Sequence, residues 1–141
     1  MRKLILVILL ILSLSFVLAA CGGGDSGGDA ADGGGPSVAN GEKLFKQTVI
    51  GSASAPGCIT CHSLEEGVVL VGPSHYDIAK RSEGVVPGMS VEEYIRQSIV
   101  EPNAHITEGY AEGVMYANYG TDIPAPNIDD IVAFMLTLQG E

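Results

Sequence analysis

Apolar positions along the chain fall into three regimes. Residues 4–20 form one apolar run, broken only by Ser13 and Ser15, behind Met1-Arg2-Lys3, too short and wrongly flanked for a comfortable membrane span. Residues 22–35 are almost only Gly, Asp, Ser and Ala, with nothing to bury, so this stretch is expected to stay disordered. From Ser37 onward apolar and polar residues alternate with helical spacing. The pattern predicts a helix over about 40–49, a short one near 74–80, one from 91 to about 100 and a last one from 128. In the last, Ile128, Ile131, Val132, Met135 and Leu138 make one apolar stripe. Ser90-Val91-Glu92-Glu93 is a capping box at the start of the third helix. Segments 51–57, 84–88 and 119–126 read as loops from their glycine and proline content, and strand should be nearly absent. The expected class is all-α, three to five helices in one domain over residues 37–141, preceded by a linker.

The first regime reads as a signal peptide over residues 1–20. It ends in Leu18-Ala19-Ala20-Cys21, which resembles the bacterial lipobox, and that resemblance implies that Cys21 is acylated and becomes the mature N-terminus. The competing reading is an uncleaved N-terminal anchor helix with an incidental cysteine. Both export the domain and hold it at a membrane, on its extracytoplasmic face. One acyl chain anchors only marginally, whereas the two or three on a lipoprotein cysteine hold durably. Residues 21–36 would then be a tether, with a root-mean-square span of about 20 Å and a full reach of about 50 Å.

Charge narrows the partners. Without Arg2 and Lys3, five basic residues (Lys43, Lys46, Lys80, Arg81 and Arg96) stand against 17 acidic ones, a formal charge of −12. Nucleic acid is an improbable partner. A basic protein surface would be drawn to such a domain at low salt, although a generally solvated acidic surface reads equally well.

Three cysteines occur, Cys21, Cys58 and Cys61. The last two lie in Cys58-Ile59-Thr60-Cys61-His62, the C-x-x-C-H sequence for covalent attachment of c-type haem. The spacing has a mechanical reason. The two haem vinyl groups lie on neighbouring pyrroles, so a short turn carrying both thiols reaches both while the next histidine points at the iron. His62 should ligate through Nε2, with Nδ1–H bonded to a carbonyl that fixes the ring. Zinc competes, but no second Cys pair supplies four ligands. A thioredoxin-like redox pair also competes, but it calls for an alternating strand and helix pattern that the flanks lack.

The sixth iron position has five candidates: Met89, Met115, Met135, His75 and His105. Met135 falls on the apolar stripe of the last helix and reads as core. Met89 precedes the Ser90 cap, where a side chain usually packs as a staple. His75 and His105 would give a bis-histidine haem, or else are ordinary loop histidines. Met115, in a Gly-rich stretch that can lie flat on a haem face, is the best candidate.

These motifs together resemble a class I cytochrome c over nearly all of residues 37–139. The likeness rests on Asn40-Gly41-Glu42-Lys43-Leu44-Phe45, Gly57-Cys58-Ile59-Thr60-Cys61-His62-Ser63, Gly72-Pro73-Ser74 and Ile131-Val132-Ala133-Phe134-Met135-Leu136. The resemblance implies one covalent haem c, close crossing of the first and last helices with Gly41 and Phe45 against Phe134, a Pro73 carbonyl for the proximal histidine, and Met115 as distal ligand. The family usually has proline after that methionine, and here Tyr116 stands there. Arg81, Arg96 and Tyr110 are candidates for the haem propionates, which need donors to offset lost hydration. Tyr110, Tyr116 and Tyr119 are expected to wall the distal side, hydroxyls towards solvent or a propionate.

The function implied is one-electron transfer between membrane-bound donor and acceptor complexes, with no catalysis by the chain alone. The lipoprotein features resemble monohaem subunits of large bacterial complexes, including the alternative quinol-oxidising complex; a free-standing lipid-anchored donor fits equally well. A haem-based binder of carbon monoxide or nitric oxide, with a weak sixth ligand, is the alternative. Open-haem proteins of the four-helix type carry the attachment motif near the C-terminus, whereas about 79 residues follow His62 here.

Overall fold

The computed structural model describes residues 34–140. The expected signal peptide over residues 1–20, Cys21 and the tether as far as residue 33 lie outside the described residues. What is described is an all-α domain with five helices and one minimal hairpin: α1 (Val38–Phe45), β1 (Val49–Ile50), β2 (Ala55–Pro56), a 3-10 turn (Cys58–Thr60), α2 (Ile78–Arg81), α3 (Val91–Val100), α4 (Tyr119–Asp122) and α5 (Ala125–Met135).

The first and last helices make the principal contact of the fold. At Gly41 of α1 a Cβ would fall 1.9 Å from the backbone oxygen of Asp130 and 2.9 Å from Cβ of Phe134, so only glycine permits this approach. Asp130 closes the crossing with polar contacts: its carboxylate accepts from the Ser37 backbone N–H at 2.6 Å and from the Asn40 amide at 2.7 Å. Phe45 packs on Phe134 with ring centroids 5.6 Å apart and planes tilted 59°. The core runs on from there through Ile131, Val132 and Ile128 of α5 to Ile95 and Ile99 of α3. Arg96 of α3 reaches the Asp129 carboxylate of α5 across this contact and also faces Glu92 on its own helix.

Sequence patterning placed the elements but misjudged three boundaries. α1 stops at Phe45 instead of running to 49, because Thr48, Val49 and Ile50 are β-branched. The chain turns at Gly51 instead, and Val49–Ile50 pairs antiparallel with Ala55–Pro56. The segment read as a loop over 119–126 contains the single-turn helix α4 and the start of α5. Pro126 sits in the first turn of α5, where no intrahelical donor is needed and a fixed φ suits the helix. The helix expected over 74–80 is only Ile78–Arg81, since Ser74 spends its hydroxyl on the loop, donating to Glu65 O at 2.7 Å and accepting from the Tyr76 N–H at 3.1 Å. The capping box at Ser90 forms as expected: Ser90 Oγ accepts from Glu93 N–H, and the Glu93 carboxylate accepts from Ser90 N–H at 2.8 Å.

Replacing Gly41 with alanine should lower stability by about 2 kcal/mol, because a methyl wedge parts α1 from α5 and outweighs the helix-propensity gain of up to about 1 kcal/mol. Denaturant unfolding of the haem-loaded protein measures this; an unchanged midpoint would show that the crossing is not the tight contact described.

Candidate functional site

The attachment sequence folds as one tight turn. Cys58–Thr60 is a 3-10 segment in which the N–H groups of Cys61 and His62 both donate to Cys58 O, at 3.1 and 2.9 Å. Thr60 ties it to the preceding chain, its hydroxyl donating to Gly57 O at 2.6 Å. In such a turn positions i and i+3 stand above one another, so the two thiols leave the backbone on one side. Both cysteines are free and half-buried. Burial, ahead of the nearby Cys61 charge and against a lowering backbone contact, pushes the Cys58 thiol up to about 11. A thioredoxin-like pair would need the opposite shift. Among the described residues no three His, Cys, Asp or Glu side chains cluster as a metal cage.

The chain then returns to its own start. Gly72 N–H donates to Cys61 O at 2.8 Å, laying Gly72-Pro73 alongside the turn. A Cβ at Gly72 would come within 2.4 Å of His62 Cε1, so the histidine ring occupies the space that glycine leaves. Nδ1 of His62 lies 2.9 Å from the Pro73 carbonyl oxygen. A carbonyl only accepts, so Nδ1 carries the proton and Nε2 is the free lone pair. Burial is the main influence on this ring and lowers its basicity; the Pro73 contact opposes that and the Arg81 charge adds to it. A neutral imidazole with Nε2 free is the form that binds a metal.

Beside this turn opens a cavity of about 780 Å³, within the range of about 300–1,000 Å³ common to cofactor sites. Cys58, Cys61, His62, Pro73, Tyr110 and Met115 all line it. Arg81, His105, Tyr116, Tyr119 and the core residue Met135 line it too. The donor set and the Gly72 cradle fit a haem bound through two thiols and one imidazole.

The remaining candidates divide between the cavity wall and other places. Arg96 is not on the cavity wall and is paired with Asp129 and Glu92, whereas Tyr110 and Arg81, the latter also paired with Asp77 at 3.7 Å, are on it. Met89 packs half-buried against the core and lies outside the cavity, as a residue preceding a cap does. His75 lines the cavity too, buried and stacked on His62 itself. His105 is on the wall, edge-on to Tyr94 with centroids 5.6 Å apart. Of the three tyrosines, Tyr116 donates its hydroxyl to the Asp122 carboxylate, and buried Tyr119 donates to Pro56 O at 2.6 Å. Two hydroxyls expected to face solvent or a propionate are thus spent within the protein. Burial, with the nearby Cys58, Cys61 and Tyr116 adding to it, pushes Tyr119 up to about 12, so it remains a donor.

A small all-α domain that folds a C-x-x-C-H turn onto the wall of one cofactor-sized cavity is a c-type haem protein. The family model described as cytochrome c matches residues 38–139, and the chain belongs to the cytochrome c family. A comparison with curated proteins finds no match. Membership implies covalently bound haem c, which the spacing of Cys58 and Cys61 fits, and a haem-based electron carrier rather than an enzyme.

Gly72→Ala should displace the His62 ring, so the haem-loaded variant is expected to lose part of its low-spin histidine-ligated absorption. Retention of the full wild-type spectrum would show that the ring does not depend on this cradle.

Proposed function

We propose that this protein is a monohaem, lipid-anchored cytochrome c that passes single electrons between membrane-associated redox complexes or serves as a subunit of one. Cys58 and Cys61 hold the haem as thioethers, Nε2 of His62 is the proximal ligand and the Met115 sulfur is the sixth. Haem c supplies the one-electron ferric–ferrous couple, and a thioether opposite an imidazole raises its potential. The observation that carries the reading is the His62 Nδ1–H bond to Pro73, which leaves Nε2 free on the cavity wall that Cys58, Cys61 and Met115 share. The Pro73 carbonyl keeps the ring in its ligating tautomer. Arg81 and Tyr110, on the same wall, offer a cation and a hydroxyl to the propionates.

Acylated Cys21 would hold the domain to the bilayer, with residues 22–36 as the tether. Among the described residues no helix is long and apolar enough to cross a membrane. With its excess of acidic residues the domain suits donor and acceptor proteins with basic faces, met fastest at low ionic strength.

Absorption spectra of the oxidised and reduced haem-loaded protein test the ligand set. The weak red charge-transfer band of methionine-ligated ferric haem should appear in the wild type, vanish in Met115→Ala and persist in His105→Ala. Its absence from the wild type, with ready uptake of carbon monoxide on reduction, would overturn the closed-haem reading and leave a gas-binding haem.

Cys21→Ser should move the protein from the membrane fraction to the soluble one. A variant that stays in the membrane fraction would show that the anchor is not the lipid.

A further inference from the structure

His75 is buried to within 9% of its surface and lies flat on His62, with ring centroids 4.1 Å apart and planes 12° from parallel. Its own position is fixed by three separate contacts. Its backbone N–H donates to Ser63 O at 2.7 Å, in the segment that directly follows the attachment turn. Its ring meets that of Phe45 at 5.8 Å and 60°, and Phe45 is the fully buried residue that packs on Phe134 at the helix crossing. Its Nδ1 lies 3.4 Å from a guanidinium nitrogen of Arg81; arginine only donates, so Nδ1 accepts along this edge.

The His62 backbone is held by its own N–H bond to Cys58 O, but its ring has one directional tether. The Pro73 carbonyl fixes where Nδ1 points, but a hydrogen bond to a carbonyl tolerates a broad range of approach and by itself leaves the ring plane some freedom to turn. A flat neighbour removes that freedom: turning His62 would drive its edge into the face of His75, and the parallel, offset arrangement favoured by aromatic rings would be lost. Gly72 also lies against this ring, close to Cε1, Nδ1 and Nε2, but carries no side chain with a flat face.

We propose that His75 is a positioning residue whose imidazole face sets the rotation of the His62 ring about its bond to iron, and with it the orientation of the ligand π orbitals over the macrocycle. This rests on His62 being the proximal ligand. The rotation matters to an electron carrier because second-shell contacts that orient an axial histidine tune the metal.

The test is proton NMR of the haem methyl groups and low-temperature electron paramagnetic resonance of the ferric, haem-loaded full chain. Wild type is compared with His75→Ala, His75→Leu and His75→Phe. Alanine removes the wall, leucine fills the volume without a flat face, and phenylalanine restores a flat ring. The expected result is a changed order and spacing of the methyl resonances and a shifted largest g value in the alanine and leucine variants, with return towards the wild-type pattern in phenylalanine. Should the alanine variant fail to take up haem, the leucine and phenylalanine pair alone decides. Wild-type patterns in every haem-loaded variant would overturn the inference and leave the Pro73 and Gly72 contacts to orient the ring. A wild-type protein lacking any low-spin histidine-ligated signal would overturn the proximal-ligand reading instead, before any variant is compared.

Discussion

The approach of α1 to α5 at Gly41 is the constraint on which the rest of the domain depends. Backbone meets backbone there, with no side chain between, and the Asp130 carboxylate seals the contact by accepting from both Ser37 and Asn40. Because the helices are so close, Phe45 and Phe134 are forced into one another and Phe45 is wholly buried, which contributes about 1.5–3 kcal/mol. A column of rings then runs from the crossing to the site: Phe134 on Phe45, Phe45 on His75, His75 on His62. The packing that holds the fold is continuous with the packing that holds the proposed ligand. Little slack separates the two.

The site itself is built from chain that has almost no regular structure. A 3-10 turn, a return loop fastened by Gly72 N–H to Cys61 O and a carbonyl from Pro73 carry the chemistry, and each is rigid because its few polar groups are spoken for. Burial makes both histidines weaker bases than usual, His75 well below the ordinary range, and keeps the rings uncharged where they stack. Two imidazolium cations could not share that contact. Burial also holds Cys58 as a thiol, a poor nucleophile towards disulfides, as suits a sulfur destined for a permanent carbon–sulfur bond.

An electron carrier needs its two oxidation states to share one geometry, and this architecture supplies that by stiffness rather than by strength. The expected thioether and axial contacts of the cofactor come from short segments tied at both ends: the attachment turn by Gly57 and Gly72, the Met115 stretch by the Gly113 N–H to Asn103 contact on one side and Tyr116 to Asp122 on the other. A family of small domains can hold a cofactor this way because the cofactor itself completes the core.

The sequence by itself determined what local chemistry dictates. Cys58, Cys61 and His62 are adjacent in the chain, so their shared purpose was legible without a fold; the helical stripe of α5 and the capping box at Ser90 are likewise short-range patterns. The Pro73 carbonyl and the Gly41–Phe134 crossing were reachable only through resemblance, being separated by 11 and 93 residues from their partners in the chain. Tertiary structure alone decided the rest. Arg96 and Arg81 look alike in sequence, yet one is held by Asp129 of α5 away from the cavity wall and the other lines it. His75 reads as a loop histidine, and it is buried because Phe45 and His62 arrive from elsewhere and close over it. Side-chain identity fixes what a residue can do, and only packing fixes what it meets.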